Sequence, residues 1–253
     1  MAEKPQQPFR LRRPGGEADA SRVFNAPGIV MLIAGLTLAA FILMVVFPSR
    51  TAGVIELAAA VIPGRFTAGP GANNGVLSMI SPLIAHMFVH ASIVHLLFNL
   101  LWLLAFGTPL ARRMGAAGAL QSSAAFAASS MFLTFYLLSG VAGALFFILL
   151  HPKEFTLLVG ASGGVSGLLG GLVRFAFNRS TIFGPDAAKF SPLLSQPVLL
   201  WTGFMLALNN PIAAQLMKPM AGGADIAWEA HLGGFFFGLL LYPFFERAAR
   251  GFR

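Results

Sequence analysis

The sequence predicts an all-α polytopic membrane protein built as a bundle of six transmembrane helices. Three observations carry that expectation. Of its 253 residues, 57% are hydrophobic and only 10% charged, where a soluble domain carries about 25% charged residues. Apolar runs of spanning length recur along the chain, separated by Pro, Gly and basic residues. The net charge of +8 is concentrated in the segments that those runs place on one side of a bilayer.

Residues 1–27 are basic and Pro-rich, with Lys4, Arg10, Arg12, Arg13 and Arg22, and read as a disordered cytoplasmic tail. Span one covers 29–47. It is too long for a signal-peptide core and reads as retained, with a cleaved signal as the alternative. A loop region runs from Pro48 to about His90. Within it, 54–62 is too short to span and is interrupted by Glu56, so it reads as an interfacial or re-entrant helix. The Gly- and Asn-rich stretch 65–75 reads as flexible.

Span two covers 93–110 and is ended by Arg112 and Arg113. Span three, 130–150, is ended by His151, Pro152 and Lys153. Span four runs from Gly160 to Phe177, followed by a Pro-containing connector at 181–195. Span five, 197–216, is distorted at Asn209-Asn210-Pro211, and span six, 226–245, is closed by Glu246 and Arg247. One membrane domain, 28–247, results, with a short cytoplasmic tail at 248–253.

A cytoplasmic N-terminus puts both termini inside. The inner segments then hold the basic tail, Arg112, Arg113, Arg174, Arg179, Lys189, Arg247, Arg250 and Arg253. The outer side keeps Arg50, Arg65, Lys153 and Lys218. This is the positive-inside distribution, and it suits a bacterial plasma membrane. Nucleic-acid binding is excluded as a reading, because the 25 Phe lie in apolar runs rather than among Lys and Arg. The absence of Cys removes thiolate chemistry and disulfides. No internal repeat of the transporter kind is visible.

Polar residues inside these spans point first to function, because hydrocarbon penalises them. Ser162 lies in G-A-S-G, His231 in A-H-L-G-G, and His95 and Asn99 in H-L-L-F-N. Spans two, four and six all run from outside to inside, so the four residues fall at a similar depth near the outer face. Ser162 sits at a helix N-terminus, where unpaired backbone N–H groups can face an oxyanion. Gly160, Gly163 and Gly164 around it admit a close neighbour. His231, Gly234 and Gly238 share one helical face. If that face packs on the glycines of span four, the imidazole reaches the Ser162 hydroxyl and can act as its base.

Each piece also fits a packing role: a serine bonded back to its own helix, a histidine bonded to a neighbouring carbonyl, or an Asn99 that staples two helices. His95 and Asn99, four apart, can both donate to an oxyanion. His90 reads as stabilising the loop that enters span two, His86 as structural or interfacial, and His151 as incidental at an exposed helix end. Three histidines at 86, 90 and 95 raise metal binding, but no carboxylate or cysteine nearby completes a ligand set, and no metal is expected. Asp225 and Glu229 precede His231, yet residues two apart on a helix point away from each other. A Ser162–His231 dyad is the simpler reading.

These pieces, with F-V-H at 88–90 and F-F-F-G at 235–238, resemble the rhomboid family of intramembrane serine proteases over about 29–245. The resemblance implies a six-helix core with Ser162 as nucleophile and His231 as base. His95, Asn99 and the Ser162 N–H would form the oxyanion hole, with His90, Gly160, Gly163, Gly234 and Gly238 supporting the site. It further implies no cofactor and, as partners, membrane-anchored protein substrates cut near small or helix-destabilising residues, with access beside span five.

Two departures stand out. Many members place an aromatic ring against the catalytic histidine four residues past the nucleophile. Here Ser166 stands at that position, which leaves His231 looser or held by a Phe from elsewhere. The Trp-Arg pair of some first loops is absent, and 63–66 fills part of that region. A non-catalytic relative that holds client helices is the competing reading, and a transporter is a third.

Overall fold

The computed structural model describes residues 26–67, 75–116, 122–177, 189–218 and 225–251. The basic tail, Arg179, and most of the predicted flexible loop and connector lie outside them. The helices are α1 (Gly28–Val46), α2 (Ser49–Ala59), α3 (Pro63–Thr67), α4 (Val76–Ile80), α5 (Pro82–Ala85), α6 (Ile93–Met114), α7 (Ser123–Leu150), α8 (Ser162–Val173), α9 (Gln196–Leu208), α10 (Pro211–Met217) and α11 (Trp228–Gly251). A 3₁₀ turn occupies His86–Phe88. Among the described residues, the only extended pairing is a single antiparallel bridge between Val61 and Leu158.

The protein is an all-α polytopic membrane protein. α1, α6 and α7 are each long and apolar enough to cross a bilayer. α9 and α10 together make a fourth such stretch, bent by 64°, and Val76–Phe88 and Ser162–Val173 are shorter apolar helical segments. Helices dominate because hydrocarbon offers no partner for a backbone N–H or C=O.

Local chemistry sets the ends. Ser92 caps α6, its hydroxyl accepting from the His95 N–H at 3.2 Å, and Gly115 closes the helix in the left-handed conformation at φ 95°. Ser122 caps α7, accepting from the Ala125 N–H at 3.1 Å. That cap starts the helix seven residues before the predicted span-three boundary, since the Ala- and Ser-containing first turns sustain a helix without being strongly apolar. Pro211 cannot continue the N–H ladder, so α9 stops. Asn210 then restarts the chain as a cap, its Oδ1 accepting from Ile212 and Ala213 N–H at 3.0 and 3.1 Å.

α8 is short and central: all its residues but Ser162 and Ser166 are buried. It packs between α7 and α11. A methyl group at Gly234 or Gly238 would collide with the carbonyl oxygens of Gly163 and Gly167, and one at Gly170 with that of Phe235. Backbone thus lies on backbone, the close approach that small residues permit. Toward the other end, the core fills with Phe132, Phe135, Leu168 and Tyr242, all fully buried.

α6, α8 and α11 run parallel, because contacts join their starts and also their ends. At the starts, His95 abuts Gly160 and Ser162 meets His231. At the ends, Arg113 of α6 pairs with Glu246 of α11 at 2.8 Å, and Arg174, just past the shorter α8, reaches the Leu239 carbonyl midway along α11 at 2.8 Å. α7 runs the opposite way, since His151 just past its end meets Glu229 at the start of α11. α11 continues past the predicted limit at 245 to Gly251. Buried Glu246 sustains it by pairing with both Arg113 and Arg250.

The segment after α1 is α2, none of whose residues is buried. It leads into α3, where the predicted 63–66 element is pinned by one main-chain and one side-chain hydrogen bond. The Gly64 N–H donates to the Glu154 carbonyl at 2.8 Å, and Arg65 donates to the Leu57 carbonyl at 2.7 Å.

Candidate active site

The turn before Ser162 is built by glycine and histidine. Gly160 has φ +117°, a conformation side chains rarely adopt. The His95 ring occupies the space a Cβ at Gly160 would need. The Gly160 N–H donates to the His86 carbonyl at 2.8 Å, and the Ala161 N–H donates to His90 Nε2 at 3.3 Å. His86 is buried, with Nδ1 2.8 Å from the Pro82 carbonyl, a structural role. His90 therefore braces the turn that presents the serine, from 71 residues away. Its ring meets that of His95 edge-on, centroids 5.0 Å apart.

Ser162, half-buried, then opens α8. His231 lies in the first turn of α11, with Nε2 2.8 Å from the Ser162 Oγ. Its other nitrogen, Nδ1, is 2.7 Å from Oδ1 of Asn209. The Asn209 amide nitrogen donates to the Met205 carbonyl at 3.0 Å, which turns Oδ1 toward the imidazole. An amide oxygen only accepts, so Nδ1 carries the proton and Nε2 keeps its lone pair for the serine hydroxyl. A hydroxyl, a correctly protonated imidazole and an orienting amide can together perform nucleophilic acyl transfer.

Asn209 is the residue that sequence reasoning missed. It reads there as part of a kink, and the kink is what ends α9 at its position. The available signal was a second buried-span amide, Asn209 beside Asn210, in a chain with few polar groups at membrane depth. Asn209 also answers the question raised by Ser166. Among the described residues no aromatic ring stacks on His231, and a hydrogen bond to Asn209 holds the imidazole.

Asn99 is buried and donates one amide hydrogen to the His95 carbonyl at 2.9 Å within its own helix. A second N–H remains on that amide. Glu229 does point away from His231. It is buried and takes His151 Nε2 at 2.7 Å, while His151 Nδ1 lies 3.0 Å from Glu154. His151 is thus a tie between α7 and α11, not an incidental surface residue. Burial opposes its protonation, but the two carboxylates outweigh burial and raise its pKa above the ordinary value. Among the described residues, no three His, Cys, Asp or Glu side chains gather as metal ligands.

The rhomboid-domain profile matches residues 77–247, from α4 to the last turns of α11. The chain belongs to the rhomboid family. It is 33% identical to Rhomboid protein 1, mitochondrial, of Saccharomyces cerevisiae, over 174 residues that make up 68% of this chain and 44% of the yeast protein. It is 31% identical to RHOMBOID-like protein 4 of Arabidopsis thaliana, over 63% of this chain and 32% of that one. To Rhomboid-like protease 3 of Toxoplasma gondii it is 27% identical, over 65% of this chain and 51% of that one. The matches span about half the length of these relatives or less.

Proposed function

We propose that this rhomboid protein is an intramembrane serine endopeptidase that hydrolyses peptide bonds in or near transmembrane helices of membrane-anchored proteins. The observation that carries the reading is the 2.8 Å contact between Ser162 Oγ and His231 Nε2, made by two residues 69 apart on glycine-packed helices. Asn209 acts through His231, whose Nδ1 lies 2.7 Å from its Oδ1.

Ser162 attacks the scissile carbonyl as His231 Nε2 takes its proton. Negative charge develops on the carbonyl oxygen, where the Ser162 N–H, His95 and the free Asn99 N–H are available as donors. His231 then protonates the leaving amine and activates the water that releases the acyl group. The Asn209 carbonyl stabilises the imidazolium formed between the two steps. The chemistry needs no cofactor. Substrate helices must unwind locally to expose an amide, so small or helix-breaking residues near the cut are favoured.

The same reading completes six spans by adding α8 and α11 to the long helices, as a core over 28–247. The site opens to the outer face of a bacterial plasma membrane and both termini are cytoplasmic. Positive charge on Arg112, Arg113, Arg174, Arg247 and Arg250 at the opposite end from Ser162 supports that orientation.

The test is cleavage of a reporter transmembrane substrate by purified protein in liposomes, beside Ser162→Ala and His231→Ala. Loss of cleavage in both folded variants is the expected result. Cleavage that survives Ser162→Ala would overturn the assignment. Wild-type inactivity on several helices with small-residue sites would favour a protein that holds client helices without cutting them.

A further inference from the structure

The end of the bundle opposite Ser162 holds a cavity of about 530 Å³ between the end of α8, the residues before α9, and the last turns of α11. Four of its lining residues are cationic, Arg174, Lys189, Arg247 and Arg250, against one carboxylate, Glu246. That carboxylate is already engaged. Its Oε2 takes Arg113 at 2.8 Å and its Oε1 takes Arg250 at 2.6 Å.

Among the described residues Arg174 donates only to neutral carbonyls, those of Ser191 at 3.1 Å and Leu239 at 2.8 Å. Arg247 is exposed and lies over the Phe190 ring, 5.8 Å from its centroid. Arg174 is 5.9 Å from the same ring. Among the described residues no carboxylate pairs with either. A ring face offsets part of a guanidinium charge, but with Arg113 at 5.4 Å from the same ring, three cations converge on it and repel each other. Arg174 and Arg247 thus face a shared space with no carboxylate partner among the described residues.

Its apolar side completes the pattern. Leu240, Phe244 and Arg247 fall on one face of α11 at helical spacing. Leu240 is 48% exposed and Phe244 62%, so this stripe faces the surroundings rather than the core. Along it the chain passes from exposed hydrocarbon to exposed cation. A ligand that fits has an acyl chain on one side and a negative phosphodiester on the other. Free phosphate uses only the cationic half.

We propose that this groove is a binding site for the headgroup phosphate of an anionic glycerophospholipid, with the acyl chain along Leu240 and Phe244. The site is separate from Ser162 and stands whether or not Ser162 is a nucleophile. Basic pockets at membrane margins recognise anionic headgroups in this way.

The test uses the full-length protein in nanodiscs of phosphatidylcholine alone or with added phosphatidylglycerol, read by the thermal unfolding midpoint. Phosphatidylglycerol is expected to raise the wild-type midpoint by several degrees. Arg247→Gln is expected to lose at least about half of that gain while matching wild type in phosphatidylcholine. Arg112→Gln, at the same end but outside the groove, is the control and keeps the gain. Arg174→Lys, which retains charge but not the planar fork, loses an intermediate share. Equal midpoints in both lipids for wild type would overturn the proposal, as would an equal loss in Arg112→Gln, which would mark a diffuse charge effect. A matching gain from soluble glycerol phosphate in phosphatidylcholine discs would assign the groove to free phosphate instead. If Arg247→Gln is unstable in phosphatidylcholine, Arg174→Lys decides alone: an undiminished gain in it overturns the proposal.

Discussion

The two ends of α8 solve the same problem, polar groups at a membrane, in opposite ways. At its start, Ser162, His231 and Asn209 are neutral donors and acceptors joined in a chain, with glycines holding the backbones together. At its end, Arg174 emerges among Arg113, Glu246, Arg247 and aromatic rings, with formal charges paired or stacked. The neutral chain avoids placing a charge where water is scarce, and each hydrogen bond specifies a direction. The ionic cluster anchors the helix ends where solvent and headgroups screen charge. The first arrangement is suited to chemistry and the second to holding the bundle in register. Changes at the two ends should therefore separate activity from stability.

The sharpest break is Ser162→Ala. It should lower cleavage by roughly 10³-fold or more while leaving the unfolding midpoint nearly unchanged, checked by reporter cleavage beside thermal unfolding of the same sample. Next comes Glu246→Ala at the other end. It removes the buried carboxylate that Arg113 and Arg250 share and should destabilise by about 1–3 kcal/mol, with cleavage per folded molecule retained. Selective loss of turnover with normal stability in this variant would contradict the division.

Asn209→Ala sharpens the account of the site. Removing an orienting partner of a functional imidazole typically costs about 10–100-fold. The loss is expected in kcat with little change in KM, and Asn209→Asp should recover part of it because a carboxylate also accepts from Nδ1. Loss of KM alone would make Asn209 a packing residue.

The smallest effect concerns His151. Its pKa is raised in the folded protein by Glu154 and Glu229, so its tie is fully present below the ordinary value of 6.5 and is lost as pH rises through the higher folded value. His151→Gln should destabilise by about 0.5–1 kcal/mol at acidic pH. The difference from wild type should shrink as the pH of the unfolding measurement is raised, and a gap that widens with pH would reverse the assignment.

Much of this was readable in the chain. The glycines at 163, 167, 234 and 238 follow helical spacing, and such strips meet only if the helices meet. His95 and Ser162 share a depth because three spans run in the same direction. Other contacts were not readable. Asn209 and His231 are 22 residues apart, and their bond depends on α9 ending just there, at a 64° bend. His151 and Glu229 are 78 apart, and nothing local marks either as a partner of the other. The α7 start fell outside the expected span because hydropathy reports where a helix is apolar, not where it begins.

The sequence alone determined an all-helical protein, set in a membrane, with polar residues gathered toward one end. Those outcomes follow from composition, length and period, which act on every residue of a segment and tolerate errors of a turn. Only the tertiary structure decided that His231 takes Asn209 rather than Glu229, that His90 braces the Ser162 turn, and that Glu246 joins two arginines. A hydrogen bond is lost with a displacement of about 1 Å, and the rotation, bend and contact distance of a helix pair that set it are properties of the packed bundle.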